Sequence, residues 1–219
     1  MPTTYAHYKF GKEVLSALPR PLQNSIEAHR ELFDIGLHGP DILFYYNALK
    51  KDPVNEQGHT LHEQFADEFF HHAVEVIEKA KDPAAARAYI YGFICHFALD
   101  SECHPYVEKI MQVGRVSHNE IEMELDRMML TEDYHDPLRY LTAKHIQPKM
   151  EYAEVIAPFF KDVTAEQIYK ALNGMVFYHK LFLAPTSGKR KALFLGMKAV
   201  GKYDSLHDIV MSVKPDPLC

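Results

Sequence analysis

The sequence predicts an all-α fold: a single compact domain over residues 1–219, with about eight helices around one central buried helix. Three observations carry this. Apolar residues recur at helical spacing along nearly every segment, while strand-like alternation is scarce. Ser117 with Glu120, and Thr164 with Gln167, have the spacing of capping boxes that open helices. Prolines and glycines fall mainly between the periodic segments, and no Ser/Gly/Pro-rich linker divides the chain.

Taken in order, a first helix is expected over 5–18, stopped by Pro19 and Pro21. A second covers 22–35, with Gly36 at its C-cap. Gly39-Pro40-Asp41 starts a third, with Pro in the first turn and Asp at the positive end of the dipole. Residues 50–58 read as a loop and 61–80 as one long helix. Pro83 opens the central helix, which is expected to end near Cys103 ahead of Pro105. Its stretch 89–100 is apolar on nearly all sides, the mark of a helix buried in a bundle. Further helices are expected over 118–130, 165–183 and 189–200, followed by an irregular tail. No internal repeat is present.

Composition narrows the function classes. The chain has 24 Lys+Arg against 30 Asp+Glu, a net charge of −6, which disfavours a nucleic-acid binder held by overall charge. Three cysteines (Cys95, Cys103, Cys219) form no disulfide framework and suit a reducing compartment. The N-terminus lacks the basic start and apolar run of a signal peptide, and no window is apolar enough to span a membrane. A cytoplasmic location is expected.

The distinguishing feature is histidine, with 14 in the chain and no Trp. A His and an acid four residues apart lie one helical turn from each other and can reach one ion. Five such pairs occur where composition alone gives about two: His59/Glu63, His71/Glu75, His96/Asp100, His104/Glu108 and His118/Glu122. His96 and Asp100 sit in the most apolar helix, so they must be a hydrogen-bonded buried pair or metal ligands. His104 precedes Pro105, which is expected to push it out of helical geometry to the mouth of that helix. His118 and Glu122 start a capped helix, as a solvated pair or as ligands. Asp126 extends that face by one more turn, in a supporting or ion-pairing role. His7 on the first helix, Asp41 at a helix start, and His59 or His62 after Gly58 complete the set, each with a plain core or surface reading of its own. His29, His71, His72, His135, His145, His179 and His207 read as surface or core residues.

The ordered series His7, Asp41, a His near 60, His96-x3-Asp100-x3-His104 and His118-x3-Glu122-x3-Asp126 resembles the zinc-dependent phospholipase C family. That family shares its helical fold and trinuclear zinc site with P1-type nucleases and with the catalytic domain of glycosylphosphatidylinositol-specific phospholipase D. The resemblance implies two or three zinc ions. Asp41, His62 (preferred to His59), His96 and Asp100 would surround one; Asp100 would bridge to a second that takes His7; His104, His118 and Glu122 would hold the third. It implies hydrolysis of a phospholipid or small phosphodiester by zinc-activated water, with Asp41 as candidate general base. Two departures are visible. The secreted enzymes' N-terminal Trp is absent, with Pro2 following Met1 here, and the interval from Asp100 to His104 is short.

Two alternatives compete: a P1-type single-strand nuclease, and a non-catalytic metal-binding helical module. No stable nucleic-acid complex is expected, because base stacking and a basic groove are what such binding needs. Residues 185–201 carry Lys189, Arg190, Lys191 and Lys198 with no acid, as a solvated face or as an attractor of a phosphate-bearing substrate. Tyr5, Tyr45, Tyr46, Tyr89 and Phe93 are either cleft-lining aromatics or plain core.

Overall fold

In the computed structural model, residues 4–114 and 116–215 are described, and every regular element among them is helical. Pro2 and Cys219 lie outside the described residues. Helix α1 (Thr4–Ala17) obtains its cap from far along the chain: the Tyr5 and Ala6 N–H groups donate to Asp126 Oδ2 and Oδ1 at 3.1 and 2.9 Å. A carboxylate accepting two of the first turn's orphan donors, at the positive end of the dipole, fixes where α1 begins.

The helix expected over 22–35 is two helices, α2 (Arg20–Glu27) and α3 (Arg30–Gly36), separated at His29, whose backbone is not helical. Pro21 lies in the first turn of α2, where its missing N–H removes no bond, so it starts a helix rather than ending one. Gly39–Tyr45 follows as a 3-10 helix containing Asp41.

The loop expected over 50–58 is largely helix α4 (Pro53–Glu63). Its signal is an Asp-x-x-Asn capping box: Asp52 Oδ1 accepts from the Val54 N–H at 3.0 Å, and Asn55 Oδ1 accepts from the Asp52 N–H at 3.1 Å. Gln64 and Phe65 are extended, so the helix expected over 61–80 breaks there and resumes as α5 (Ala66–Lys79).

Helix α6 (Pro83–Val113) is the longest and runs straight past the expected stop at Pro105. Ser101 and Glu102 are exposed, so the helix meets solvent on the side where Pro105 can donate no N–H. His104 is therefore inside the helix, not displaced from it. α6 buries Tyr89, Ile90 and Phe93, but Ile94 and Phe97 are exposed, so its apolar centre is not covered on every side. Helix α7 (His118–Glu132) opens with Ser117, whose Oγ accepts from the Glu120 N–H at 3.2 Å.

A short α8 (Met150–Ile156) and the 3-10 turn Ala157–Phe159 were not foreseen. α9 (Ala165–Phe182) opens on the expected box, with Thr164 N–H to Gln167 Oε1 at 2.8 Å and Gln167 N–H to Thr164 Oγ1 at 3.3 Å. α10 (Ser187–Ala199), α11 (Tyr203–Leu206) and the 3-10 turn His207–Ile209 follow. Eleven α-helices and three 3-10 helices among the described residues replace the expected eight, mainly because two long helices are each broken once and short ones lack a periodic signature.

Two compact units form. One holds His7–Leu99 and Ala143–Phe177. Its core includes Leu15, Ile26, Phe33, Leu37 and Cys95. Here α3 and α6 meet backbone to backbone: a Cβ on Gly36 would fall 2.1 Å from the Tyr89 carbonyl oxygen, and one on Gly92 2.2 Å from that of Phe33. The other unit holds the described residues up to Ala6, Asp100–Thr142 and those from Tyr178 onward. Its small cores are Val107, Val116 and Ile121, and Ala184, Met197 and Val210. No helix among the described residues is long and apolar enough to cross a membrane.

Candidate metal centre

In the first unit, Asp41, His62 and His96 each offer one ligand atom, and these atoms lie within 4.8 Å of one another. They come from three elements: the 3-10 helix, the end of α4, and the middle of α6. Asp41 and His96 are buried at 5% and 2% exposure, whereas His62 stands at the open side. Gly39 makes this possible. At φ +45° it occupies the left-handed region, and a Cβ on it would fall 2.2 Å from His96 Cδ2, so only glycine lets the ring pack against the turn bearing Asp41.

The tautomer of His62 follows from its neighbours. Its Nδ1 lies 2.7 Å from the Gly58 carbonyl oxygen, which can only accept, so Nδ1 carries the ring proton. Nε2 of the neutral ring then points a lone pair at Asp41 Oδ1, 3.0 Å away. Two lone pairs at that separation repel unless a cation, a proton or a metal ion, stands between or beside them. This is the arrangement in which a carbonyl orients an imidazole for a metal. Burial and the Asp41 charge also push the Tyr45 hydroxyl above its ordinary pKa, so Tyr45 stays neutral beside the carboxylate.

His7 stacks on His96 with ring centroids 4.5 Å apart, and His38 meets His7 edge-on at 6.4 Å. His38 in turn shares a hydrogen bond with His145, Nε2 to Nε2 at 2.7 Å, and Tyr8 stacks on His145 at 4.0 Å. His38 and His145 were missed as neighbours of the site. They are 107 residues apart, and no local spacing links them. His59 packs its ring on Phe44 at 4.4 Å and belongs to none of the ligand groups, whereas His62 does.

In the second unit, His104, His118 and Glu122 form a group of the same composition, again within 4.8 Å. His118 Nε2 is 2.8 Å and His104 Nε2 3.9 Å from Glu122 Oε1. Glu122 is buried, but both imidazoles are a third exposed. Asp100, one turn beyond His96 along α6, is buried. Burial raises the Cys103 thiol pKa, and the carboxylates of Asp100 and Glu122 add to it, which marks a concentration of negative charge around that turn. Asp126 caps α1, the helix that bears His7. Tyr5, Tyr45, Tyr89 and Phe93 are all buried core residues.

Neutral imidazoles with carboxylates are donors that suit zinc. Fold and donor sets together define the class: an all-helical protein whose gathered imidazoles and carboxylates fit a divalent metal. Comparison with known families gives the rest. Residues 6–174 match the family described as zinc-dependent phospholipase C, and the chain belongs to that family. No curated protein and no solved structure matches it. Membership implies a zinc-dependent hydrolase.

Proposed function

We propose that the protein is a zinc-dependent phosphodiesterase of the phospholipase C type, hydrolysing a phospholipid or a small phosphodiester. The observation supporting this most directly is the Asp41–His62–His96 group, with His62 held by the Gly58 carbonyl so that its Nε2 faces the Asp41 carboxylate. The proposed ligand set is His7, Asp41, His62, His96, Asp100, His104, His118 and Glu122, for two or three ions. When bound, zinc would neutralise charge on the non-bridging phosphate oxygens and supply a nucleophilic water at neutral pH.

The chain's own residues would do the rest. The Asp41 carboxylate orients the attacking water and takes its proton. Its orientation is set by His62 on one oxygen and by its burial. His96, packed between that turn and the His7 ring, is held in one position. Buried donors of this kind need no reorganisation during reaction.

The test is metal stoichiometry by mass spectrometry on untagged protein, beside hydrolysis of bis(p-nitrophenyl) phosphate and of phosphatidylcholine vesicles. Two or three zinc ions per chain with turnover of either substrate supports the proposal. Bound zinc without hydrolysis would instead indicate a non-catalytic metal module, and cleavage of single-stranded DNA alone a P1-type nuclease. Absence of tightly bound metal in zinc-replete protein overturns the reading.

A further inference from the structure

Between Glu166 and Asp204 the chain carries no acidic residue, in a protein of net charge −6. The later part of this stretch forms α10 and the turn to Lys202. One side of α10 packs inward, with Met197 buried beside Ala184 and Val210 and with Leu193 and Phe194 against them. The other side faces out. Successive residues turn by 100°, which sets Ala192, Leu195 and Ala199 in one exposed stripe, with Lys191 and Lys198 along one border and Lys189 along the other. Leu195 is 70% exposed, and Val200 at the helix end 68%.

Three of the cations are held in place without being neutralised. Lys189 Nζ donates to the Lys180 and Leu183 carbonyls at 2.9 and 2.5 Å, closing the C-terminus of α9. Arg190 donates to the Met211 carbonyl at 2.6 Å, and Lys198 Nζ lies 4.7 Å over the Tyr203 ring. Among the described residues, none of Lys189, Arg190, Lys191, Lys198 and Lys202 lies in an ion pair. The result is a basic face with Leu195 standing out of its middle and Val200 at its C-terminal end.

From this face we infer a docking surface for an anionic phospholipid membrane. Leu195 and Val200 enter the boundary between headgroups and acyl chains, while Lys191, Lys198 and Lys202 meet lipid phosphates. The chemistry favours lipid over nucleic acid. Exposed aliphatic side chains gain by entering a bilayer and gain nothing against a sugar–phosphate backbone, and Phe194, which could stack on a base, faces the core. A 13-residue helix is also of a length to lie along an interface rather than to span it. The inference does not depend on the hydrolytic reading, because binding is measured without turnover.

The experiment is co-sedimentation of the full chain with vesicles of 30% phosphatidylserine in phosphatidylcholine, and with phosphatidylcholine alone, while lipid hydrolysis is followed in the same tubes. Binding is expected to the mixed vesicles and to weaken as salt rises. The double variant Lys191→Gln/Lys198→Gln should weaken it roughly twenty-five-fold, at about fivefold per lysine. Leu195→Gln should weaken it about tenfold, and Lys191→Arg/Lys198→Arg should preserve it. Equal binding of wild type and the lysine variant overturns the inference, as does tighter capture of single-stranded DNA lost in the same variants. Vesicle binding without hydrolysis keeps this surface and removes the phospholipase reading. Hydrolysis of a soluble phosphodiester without vesicle binding does the reverse.

Discussion

Two groups of identical composition, each two imidazoles and one carboxylate, are built in different ways. Asp41, His62 and His96 come from three elements, and two of the three are almost wholly buried. His104, His118 and Glu122 come from two helices, and both imidazoles face solvent for a third of their surface. The first is held by a glycine at φ +45°, where a Cβ would press into the His96 ring, and by a carbonyl that places the Nδ1 proton of His62. In the second, His118 Nε2 meets Glu122 Oε1 at 2.8 Å within one helix, one turn apart. The first group is the more deeply buried and comes from more elements, so under the proposed function an ion held there should bind more tightly than one at the second.

The largest effect expected from this difference is loss of the first group. His96→Ala or Asp41→Asn should lower kcat/KM on the order of a thousandfold, equivalent to about 4 kcal/mol of transition-state stabilisation. Metal content should fall in parallel for His96→Ala. Steady-state kinetics beside mass spectrometry would check this, and an unchanged rate in either variant would break the comparison.

Next is the glycine. Gly39→Ala puts a methyl group into the His96 ring and a side chain at φ +45°. Thermal or denaturant unfolding should show a loss of about 3 kcal/mol from overpacking and left-handed strain together. Metal bound by the first group should fall while that of the second is retained. A variant with native stability and full metal content would mean the ring can move aside, and the preorganisation argument fails with it.

The contrast between the groups also explains what was legible in the sequence. The i,i+4 pairs His96/Asp100 and His118/Glu122 are local, so helical spacing revealed them. The gathering of Asp41 and His62 about His96 is tertiary, and in the sequence it was recognisable through family resemblance alone. His38 and His145 had no signal of either kind. Helix boundaries followed the same rule. The boxes at Ser117 and Thr164 were readable because they use the common residues, whereas the Asp52/Asn55 box fell inside an expected loop. Pro105 misled because a helix can continue through a proline on a side that faces solvent, which is a fact of burial and not of spacing.

A smaller effect is expected from the second group. Glu122→Gln keeps the shape of the side chain but removes the charge that His118 and His104 face. Activity should fall roughly tenfold, and one ion should leave under mild chelation before any leaves the first group. Competition with a graded series of chelators, read by mass spectrometry, orders the two sites. Earlier release from the Asp41 group would reverse the assignment of tight and loose.

The smallest effect separates a metal-competent imidazole from a merely buried one. His179 lies in the second unit between the Thr4 and Thr142 hydroxyls, at 3.3 and 3.0 Å, and burial lowers its pKa from 6.5 to about 4. Its folded-state pKa is below the unfolded value, so the neutral ring favours the native state at pH 7. That contribution is lost as pH falls from about 6.5 toward 4, because the unfolded chain takes up the proton first. Discounted for partial solvent access, it amounts to about 1 to 2 kcal/mol at pH 5. His179→Gln should therefore flatten the dependence of stability on pH between 7 and 5 without changing metal content, as measured by urea unfolding at each pH. An unaltered pH dependence would place the acid sensitivity in the metal-competent histidines instead.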